Sequence, residues 1–351
     1  MATKGRLRVG VIGCGRVLRK HVQSIQSNAD LELVAVCDID ETKAKAAAEL
    51  TGATAYTDTR LMLAAAKLDI ASVLTHSGDH FRSGMQAAPH VRVLIVEKPL
   101  TLTLEDADIL VETCDQHSTQ IFVVKQNRYN PPVARAREAL EAGRFGKLVM
   151  GTVRVRWSRD QAYYDRDAWR GTWKDDGGVL TNQASHHIDL LRWFMGPVES
   201  VKAYTTRRLV DIETEDTGVA ILKFTSGALG IVEATTATRP RDLEGSLSIM
   251  GETGSVVIGG FAVNEVQTWN FTDEQPADAT VFDSSTNPDN VYGFGHKAFY
   301  EDVVECVQTG RRGMLSALEG RKNVELITAI YESAESGREV RLRYAPRGVS
   351  G

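Results

Sequence analysis

Cysteine is scarce in this 351-residue chain: Cys14, Cys37, Cys114 and Cys306 are the whole set, and no two are spaced as a metal pair or a disulfide framework requires. Reduced thiols in a cytoplasm are the expectation, and no metal site is read. No apolar run approaches the length of a membrane span. The opening "MATKGRLRVGVIGCG" is basic, but no long apolar segment or small-residue cleavage site follows, so no secretory signal is read. A basic excess is missing too. With a net charge of -5 and no concentrated basic stretch, nucleic acid is excluded as the main partner. Internal repeats, low-complexity tracts and long linkers are absent. What remains is ordinary globular material, 42% hydrophobic and 25% charged, long enough for two domains.

The first third alternates short apolar runs with helical stretches: "LRVGVIGCG", a helix over 17–27, "LELVAVCD", a helix over 41–50, "IASVLT", a helix over 81–88, "VRVLIVEKP", a helix over 104–117, and "IFVVKQN". Near-continuous apolar strands between helices predict a parallel sheet covered on both faces, a doubly wound Rossmann domain. After "NRYNPP" the character changes. A helix over 133–142 leads to "LVMGTVRVRW", and beyond Gly196 strand-like runs separated by Gly, Ser, Asp and Thr turns predict a large, mostly antiparallel sheet. "SSTNPDN" reads as a loop, and helices over 295–309 and 316–335 close the chain. The fold expected is therefore α/β followed by α+β, with domains at 1–126 and 127–351.

"VGVIGCGRVLRKH" sets Gly13 and Gly15 between a strand and a helix, where backbone amides and the helix dipole can hold a pyrophosphate. Leu18 occupies the position of the usual third glycine. Asp38, 25 residues after Gly13 at the tip of the second strand, can accept hydrogen bonds from an adenine ribose and would repel a 2′-phosphate, which favours NAD over NADP. Two other readings stand beside this one: a turn that uses glycine only for geometry, and Asp38 as the cap of the helix near Glu41. "VLIVEKPLTL" puts Glu97 and Lys98 at the carboxyl end of a buried strand, the edge where open α/β sheets bind ligands, with Pro99 free to take either isomer. In "SHHID" the helical period separates two adjacent histidines. His186 shares a face with Asn182 and Asp189, whereas His187 falls with Leu190, Leu191 and Phe194 on the packing face.

"GVIGCGRV", "VEKPL" and the glycine-rich turn leading to His186 and "ID" together resemble the glucose-fructose oxidoreductase/inositol dehydrogenase (Gfo/Idh/MocA) family across essentially the whole chain. That resemblance implies that Lys98 and His186 are catalytic and face the nicotinamide. It assigns Gly13, Cys14, Gly15, Arg16, Val17, Asp38, Thr75, His80, Glu97, Lys98 and Gln126 to NAD. The stretches "FVVKQNRYNPPV", "AYYDRDAWRGTWKDDGGVLTNQASHHIDLLRW", "LEGSLSIMGETGSVVIGGFAVNEVQTW" and "NPDNVYGFGH" look like one branch, the UDP-N-acetyl-2-amino-2-deoxyglucuronate 3-dehydrogenases of surface-polysaccharide synthesis. These oxidise carbon 3 of the sugar to a ketone. Asn182 stands where most of the family has an acid, and the branch shares that asparagine.

The substrate-binding residues expected are Lys125, Asn127, Arg128, Tyr164, Arg170, Asn182, His186 and Asp189. Bidentate arginine suits a uronate carboxylate, and Tyr163, Tyr164, Trp169 and Trp173 offer flat faces to a sugar ring. Those aromatics can equally be core or interface residues. Arg239 and Arg241 can meet a diphosphate or simply be solvated. The branch also implies retention of the reduced cofactor with 2-oxoglutarate as reoxidant, and a homo-oligomer, tetramer or dimer. The competing functions are a free sugar or cyclitol dehydrogenase resembling inositol dehydrogenase, and a non-catalytic NAD-binding regulator.

Overall fold

The computed structural model describes residues 5–286, 288, 293–311 and 313–342. Residues 287 and 289–292, part of the loop read in "SSTNPDN" and "NPDNVYGFGH", lie outside the described residues. Two compact units divide the chain: Met1–Val124 with His296–Val324, and Lys125–Gly295 with Glu325–Gly351.

The first unit holds β1 (Leu7–Ile12), α1 (Leu18–Gln26), β2 (Leu31–Cys37), α2 (Glu41–Thr51), β3 (Thr54–Tyr56), α3 (Thr59–Ala65), β4 (Ile70–Val73), α4 (His80–Ala87), β5 (Val93–Val96), α5 (Leu104–Gln116) and β6 (Gln120–Val123). All six strands are parallel, in the order β3-β2-β1-β4-β5-β6, the doubly wound arrangement of dinucleotide-binding sheets. The short pair β3 and α3 is invisible to pattern reading, because "TAY" has no apolar run to mark it. α2 shows why its boundaries were legible: Asp40 caps Thr42 N–H at 2.9 Å, alanines fill the middle, and Gly52 ends it at φ 77°.

The expected boundary at 126/127 differs from the structure at the far end of the chain, where residues 296–324 belong with the first unit. The second unit adds α6 (Pro131–Glu141), β7 (Leu148–Arg156), α7 (Gln161–Tyr164), α8 (Ser185–Met195), and β8 to β13 at Val198–Thr206, Thr217–Phe224, Leu229–Thr235, Glu244–Gly251, Gly254–Gly259 and Glu265–Phe271. Then come α9 (His296–Thr309), α10 (Ala317–Ser336) and β14 (Val340–Arg341). α9 buries Phe299, Tyr300, Val303 and Val304 within the first unit. The Leu315 carbonyl accepts Val123 N–H at 2.9 Å, and Ser316 bridges Phe122, which pairs the otherwise open edge of β6.

In the second unit eight strands run β13-β12-β11-β7-β10-β9-β8-β14, antiparallel except for β7 with β10. One face carries Val153, Val155, Leu222, Phe224, Val232, Leu247 and Ile249 into a core shared with Ile188, Leu191 and Met195 of α8. Gly151 permits that approach, since a Cβ there would stand 2.7 Å from Leu191 and Met195 side-chain atoms. On the opposite face Tyr204, Val219, Ile221, Leu229 and Met250 remain 43–66% exposed.

One ion pair fastens α8 to the 3-10 turn Gln126–Tyr129. Arg128 donates from Nε and Nη2 to the two Asp189 oxygens at 2.7 and 2.8 Å, with both side chains 1% exposed. Burial pushes the Asp189 carboxyl up, but Arg128, Lys125 and Arg192 outweigh it, so its pKa falls below the ordinary value. A depressed carboxylate stabilises the fold at neutral pH and loses that contribution as pH falls through the folded pKa. Asp189→Leu is expected to lower unfolding free energy by about 3–5 kcal/mol, because it strands a buried guanidinium. Urea unfolding at pH 7 checks this, and the double variant Arg128→Met/Asp189→Leu should recover part of the loss. A single variant no weaker than wild type would show that the pair contributes nothing.

Candidate active site

The cofactor half is built at the carboxyl edge of the parallel sheet. Gly13 leaves β1 at φ 97°, and a Cβ on it would lie 2.7 Å from the backbone of Leu74 and Thr75, so only glycine fits between the turns. Gly15 and Arg16 are exposed, with open space around a Cβ at Gly15. Among the described residues no side chain caps α1; Leu18 N–H and Lys20 N–H donate to the Gly15 and Val17 carbonyls at 3.3 and 3.0 Å, and the positive end of the helix dipole at this turn favours an anion. Asp38 is not the cap of α2. Its Oδ2 accepts Cys14 N–H at 2.7 Å and its Oδ1 accepts Asp40 N–H at 2.9 Å, which fixes the glycine turn and the carboxylate together. Burial, then Asp38 and Cys37, push the Cys14 thiol up to about 12, so it is inert. A helix start at the glycine turn, an obligatory glycine and a braced carboxylate fit a dinucleotide.

At the next strand ends, the Lys98–Pro99 bond is cis. His80 sits buried between two carbonyls, Nδ1 2.7 Å from Pro99 O and Nε2 3.1 Å from Thr75 O, and burial lowers its pKa. His80 therefore braces the Lys98–Pro99 segment. Thr75 Oγ1 has no partner among the described residues. Glu97 is buried, with Oε1 3.0 Å from His21 Nε2 and Oε2 accepting Lys98 N–H at 3.0 Å. Burial raises its pKa, but the hydrogen bond from His21, with Lys98 nearby, prevails and holds it at about 2. His21, Glu97 and His296 bring three metal-ligating atoms within 4.8 Å of one another, a cluster that sequence reading missed. Its signals, "RKH" after the glycine turn and "GFGHKAFY" near the end, carry no recognisable spacing.

The second unit gathers the other expected residues around the start of α8. His186 is 9% exposed, and its Nε2 lies 3.3 Å from the Gln126 amide nitrogen. A rotated glutamine amide offers either NH2 or oxygen at that distance, so Gln126 can hold the imidazole in either protonation state. Lys125 Nζ donates to Ser185 Oγ at 3.3 Å, and Asn127 is buried beside it on the same turn. Asn182 lies on the turn before α8 instead of on the helix itself, because hydrogen bonds from 182–184 back to Gly178 and Val179 form turns, and α8 begins at Ser185. Its amide donates to Asp176, which also accepts Gly171 N–H at 2.8 Å. Asp189, expected to bind substrate, accepts from Arg128 with both oxygens. His187 is buried edge-on to Trp157, and burial lowers it to about 4, so it stays neutral near pH 7.

Several proposed sugar contacts are occupied within the loop itself. Arg170 donates to Asp167 at 2.8 Å and to the Tyr163 hydroxyl at 2.6 Å, and lies over the rings of Tyr163 and Trp169. Tyr164 is buried against Val210 and Ile212, with its hydroxyl 3.1 Å from Thr236 Oγ1. Trp173 is 51% exposed and meets Tyr331 edge-on. Arg239 is spent on the carbonyls of Thr236, Thr238 and Arg159, while Arg241 is exposed. Beneath this loop Glu215 is buried, accepting Leu180 N–H at 3.0 Å and the Tyr331 hydroxyl at 2.8 Å, and burial lifts its pKa to about 7.

Comparison with known proteins places these halves in context. Residues 7–125 match the model of an oxidoreductase family NAD-binding Rossmann fold, and residues 137–342 match the C-terminal alpha/beta domain of the same family. The structure of the WlbA dehydrogenase of Chromobacterium violaceum, in complex with NADH and UDP-GlcNAcA, is 42% identical, covers 97% of each chain and superposes with a TM-score of 0.92. That of the WlbA dehydrogenase of Bordetella pertussis, with the same ligands, is 40% identical, covers 98% of this chain and 99% of that one, with a TM-score of 0.91. A D-apiose dehydrogenase of Paraburkholderia graminis is 26% identical over 97% of this chain and 91% of its own. The myo-inositol 2-dehydrogenase of Thermotoga maritima is 27% identical over 96% and 98%. The chain belongs to the Gfo/Idh/MocA oxidoreductase family, with an NAD-binding Rossmann domain and a C-terminal alpha/beta domain.

Proposed function

We propose that this chain oxidises carbon 3 of a UDP-N-acetyl-2-amino-2-deoxyglucuronate to the 3-keto sugar, in the cytoplasm, on the route to a surface-polysaccharide sugar. The observation that carries the reading is the likeness, at 40–42% identity over nearly the whole chain, to two structures holding NADH and UDP-GlcNAcA. NAD, when bound, supplies the acceptor for the hydride from carbon 3. His186 takes the proton of the carbon 3 hydroxyl, a task suited to an imidazole with an ordinary pKa of about 6.5. Gln126 holds that ring before and after the transfer. Lys98 stabilises negative charge developing on the oxygen. Lys125 supplies positive charge suited to the uronate, while Arg128 is held by Asp189 and keeps the turn carrying Lys125 against α8. 2-Oxoglutarate reoxidises a retained reduced cofactor.

A second reading, oxidation of a free sugar or cyclitol, is favoured by the whole-length match to the apiose and inositol enzymes. Both readings require a hydroxyl donor, which separates them from a non-catalytic NAD-binding regulator. A panel of UDP-sugars and free polyols, assayed by NADH formation with and without 2-oxoglutarate, decides between them. The expected result is turnover of the uronate nucleotide alone; activity confined to free polyols overturns the assignment.

His186→Asn should reduce the single-turnover rate of hydride transfer by about 10²–10⁴-fold while NAD affinity stays near that of wild type. Lys98→Met should also slow that step. A loss confined to substrate affinity would reduce Lys98 to a binding residue.

We further propose self-association through the open face of the eight-stranded sheet, where Tyr204, Val219, Ile221 and Leu229 form neighbouring exposed apolar positions on three strands. Ile221→Arg is expected to lower the mass seen by light scattering to that of a smaller assembly. A mass unchanged by the substitution would place the interface elsewhere.

A further inference from the structure

The proposed chemistry leaves a chain of buried polar side chains in the first unit unused. Ser72 of β4 and Tyr300 of α9 meet hydroxyl to hydroxyl at 3.2 Å. The Tyr300 hydroxyl lies 2.8 Å from His21 Nδ1, and His21 Nε2 lies 3.0 Å from Glu97 Oε1. Glu97 Oε2 accepts the Lys98 backbone N–H at 3.0 Å. Ser72, Tyr300 and His21 are fully buried, and Glu97 is 8% exposed.

The donors can be ordered from the carboxylate outward. An ionised Glu97 only accepts, so His21 Nε2 carries the proton and donates to Oε1. In the neutral imidazole Nδ1 is then an acceptor, and Tyr300 donates to it. Burial pushes the Tyr300 phenol well above its ordinary range, so it keeps the proton this requires. Ser72 donates to Tyr300, which completes a set in which one tautomer satisfies every member. That order leaves no lone pair on His21 Nε2 for a cation, although His21, Glu97 and His296 are close enough to surround one. His296 flanks the chain edge-on to His21, with Nε2 4.0 Å from Glu97 Oε1.

The point at which this chain ends is informative. Glu97 N–H makes the last ladder bond of β5, to Val73 O at 2.9 Å, so Lys98 N–H is the first amide beyond the sheet. A partly buried amide there needs another acceptor, and the Glu97 side chain supplies it. The following residue, Pro99, has no N–H, and its carbonyl is taken by His80. Glu97 thus fixes the segment carrying the lysine from one side and His80 from the other. His21 ties Glu97 to α1, the helix that opens at the glycine turn.

We propose that Tyr300, His21 and Glu97 form a positioning relay that sets the direction in which Lys98 leaves the sheet. This rests on the reading of Lys98 as the group that stabilises the reacting oxygen. His21 and Tyr300 touch no reacting atom; they act through Glu97.

The test compares His21→Leu, which removes the donor, with His21→Gln, which keeps an N–H for Glu97. With substrate deuterated at carbon 3, His21→Leu should slow hydride transfer by roughly 10–100-fold and raise the observed isotope effect. His21→Gln should stay within about 3-fold of wild type, since the donor is restored. An isotope effect does not depend on how much protein is folded, so mere destabilisation leaves it unmoved. Independently of any sugar, acetylation of Lys98 by acetic anhydride, measured against exposed Lys67 by mass spectrometry, should change severalfold in His21→Leu. If His21→Leu does not fold, Tyr300→Phe is the second variant, with a smaller change in the same direction. Unchanged isotope effect and unchanged labelling ratio in these variants overturn the relay. So does one equivalent of zinc in the purified protein that is lost with His21→Leu, which would assign the cluster to a cation. Where wild type oxidises no UDP-sugar, the substrate assignment fails by itself and the labelling ratio still decides the relay.

Discussion

Six parallel strands in one sheet put every carboxyl end on a single edge, and the chemistry of the first unit follows from that constraint. Gly13, Asp38, Thr75 and Lys98 are scattered over the first hundred residues, yet each follows a strand whose neighbours point the same way. The edge is tight. Gly13 has no room for a Cβ against the backbone of Leu74 and Thr75, and Asp38 holds the Cys14 amide at 2.7 Å. Most of the cradle is therefore backbone, which explains how Leu18 can replace the usual third glycine. Leu18 opens α1 and is buried, so at that position the helix packs through a side chain.

Buried carboxylates show how the surroundings, and not the residue type, set the charge. Asp189 and Glu215 both lie in the second unit and are almost wholly buried, so desolvation raises both. Asp189 meets a guanidinium with both oxygens and is held below its ordinary value. Glu215 meets an amide and a phenol, and its next largest charged influence is Asp176, so burial wins and its pKa rises to about 7. Glu97 in the first unit resembles Asp189 in outcome but reaches it through an imidazole and an amide. A carboxyl group is thus ionised where α8 is pinned and titrates near neutral pH where the 171–182 loop is propped.

Legibility in the sequence tracked the range of the interaction. The parallel sheet, the glycine turn, Asp38 and the strand end at Lys98 were readable because each is a local pattern of apolar period plus turn residue. The 3-residue strand Thr54–Tyr56 was not, since three residues carry no period. Asn182 was placed on a helix because the spacing to His186 fits one, but the amides of 182–184 turn back to the Gly178 and Val179 carbonyls, and α8 begins only at Ser185. The link of His21 and Tyr300 to Glu97 escaped for a different reason: His21 and Tyr300 are 279 positions apart, and only the docking of α9 onto α1 brings them together. Single-sequence reasoning has no term for such a pairing.

The loop over 160–183 is where sequence reasoning assigned several of the sugar contacts, and its physics points to a different kind of recognition. Arg170 is clamped by Asp167 and Tyr163 and stacked on two rings; Tyr164 is buried with its hydroxyl on Thr236. Side chains so engaged have little left to offer a ligand as donors. Freeing Tyr164 would take a partner from the buried Thr236 hydroxyl, at about 1–3 kcal/mol. They are better suited to holding the loop in one shape. Preorganisation of this kind lowers the entropy lost on binding, so selectivity can arise from which outline the loop accepts. Under the proposed function, a loop of that sort would discriminate by shape between a large nucleotide-linked sugar and a small free polyol, with Lys98 and His186 common to both reactions.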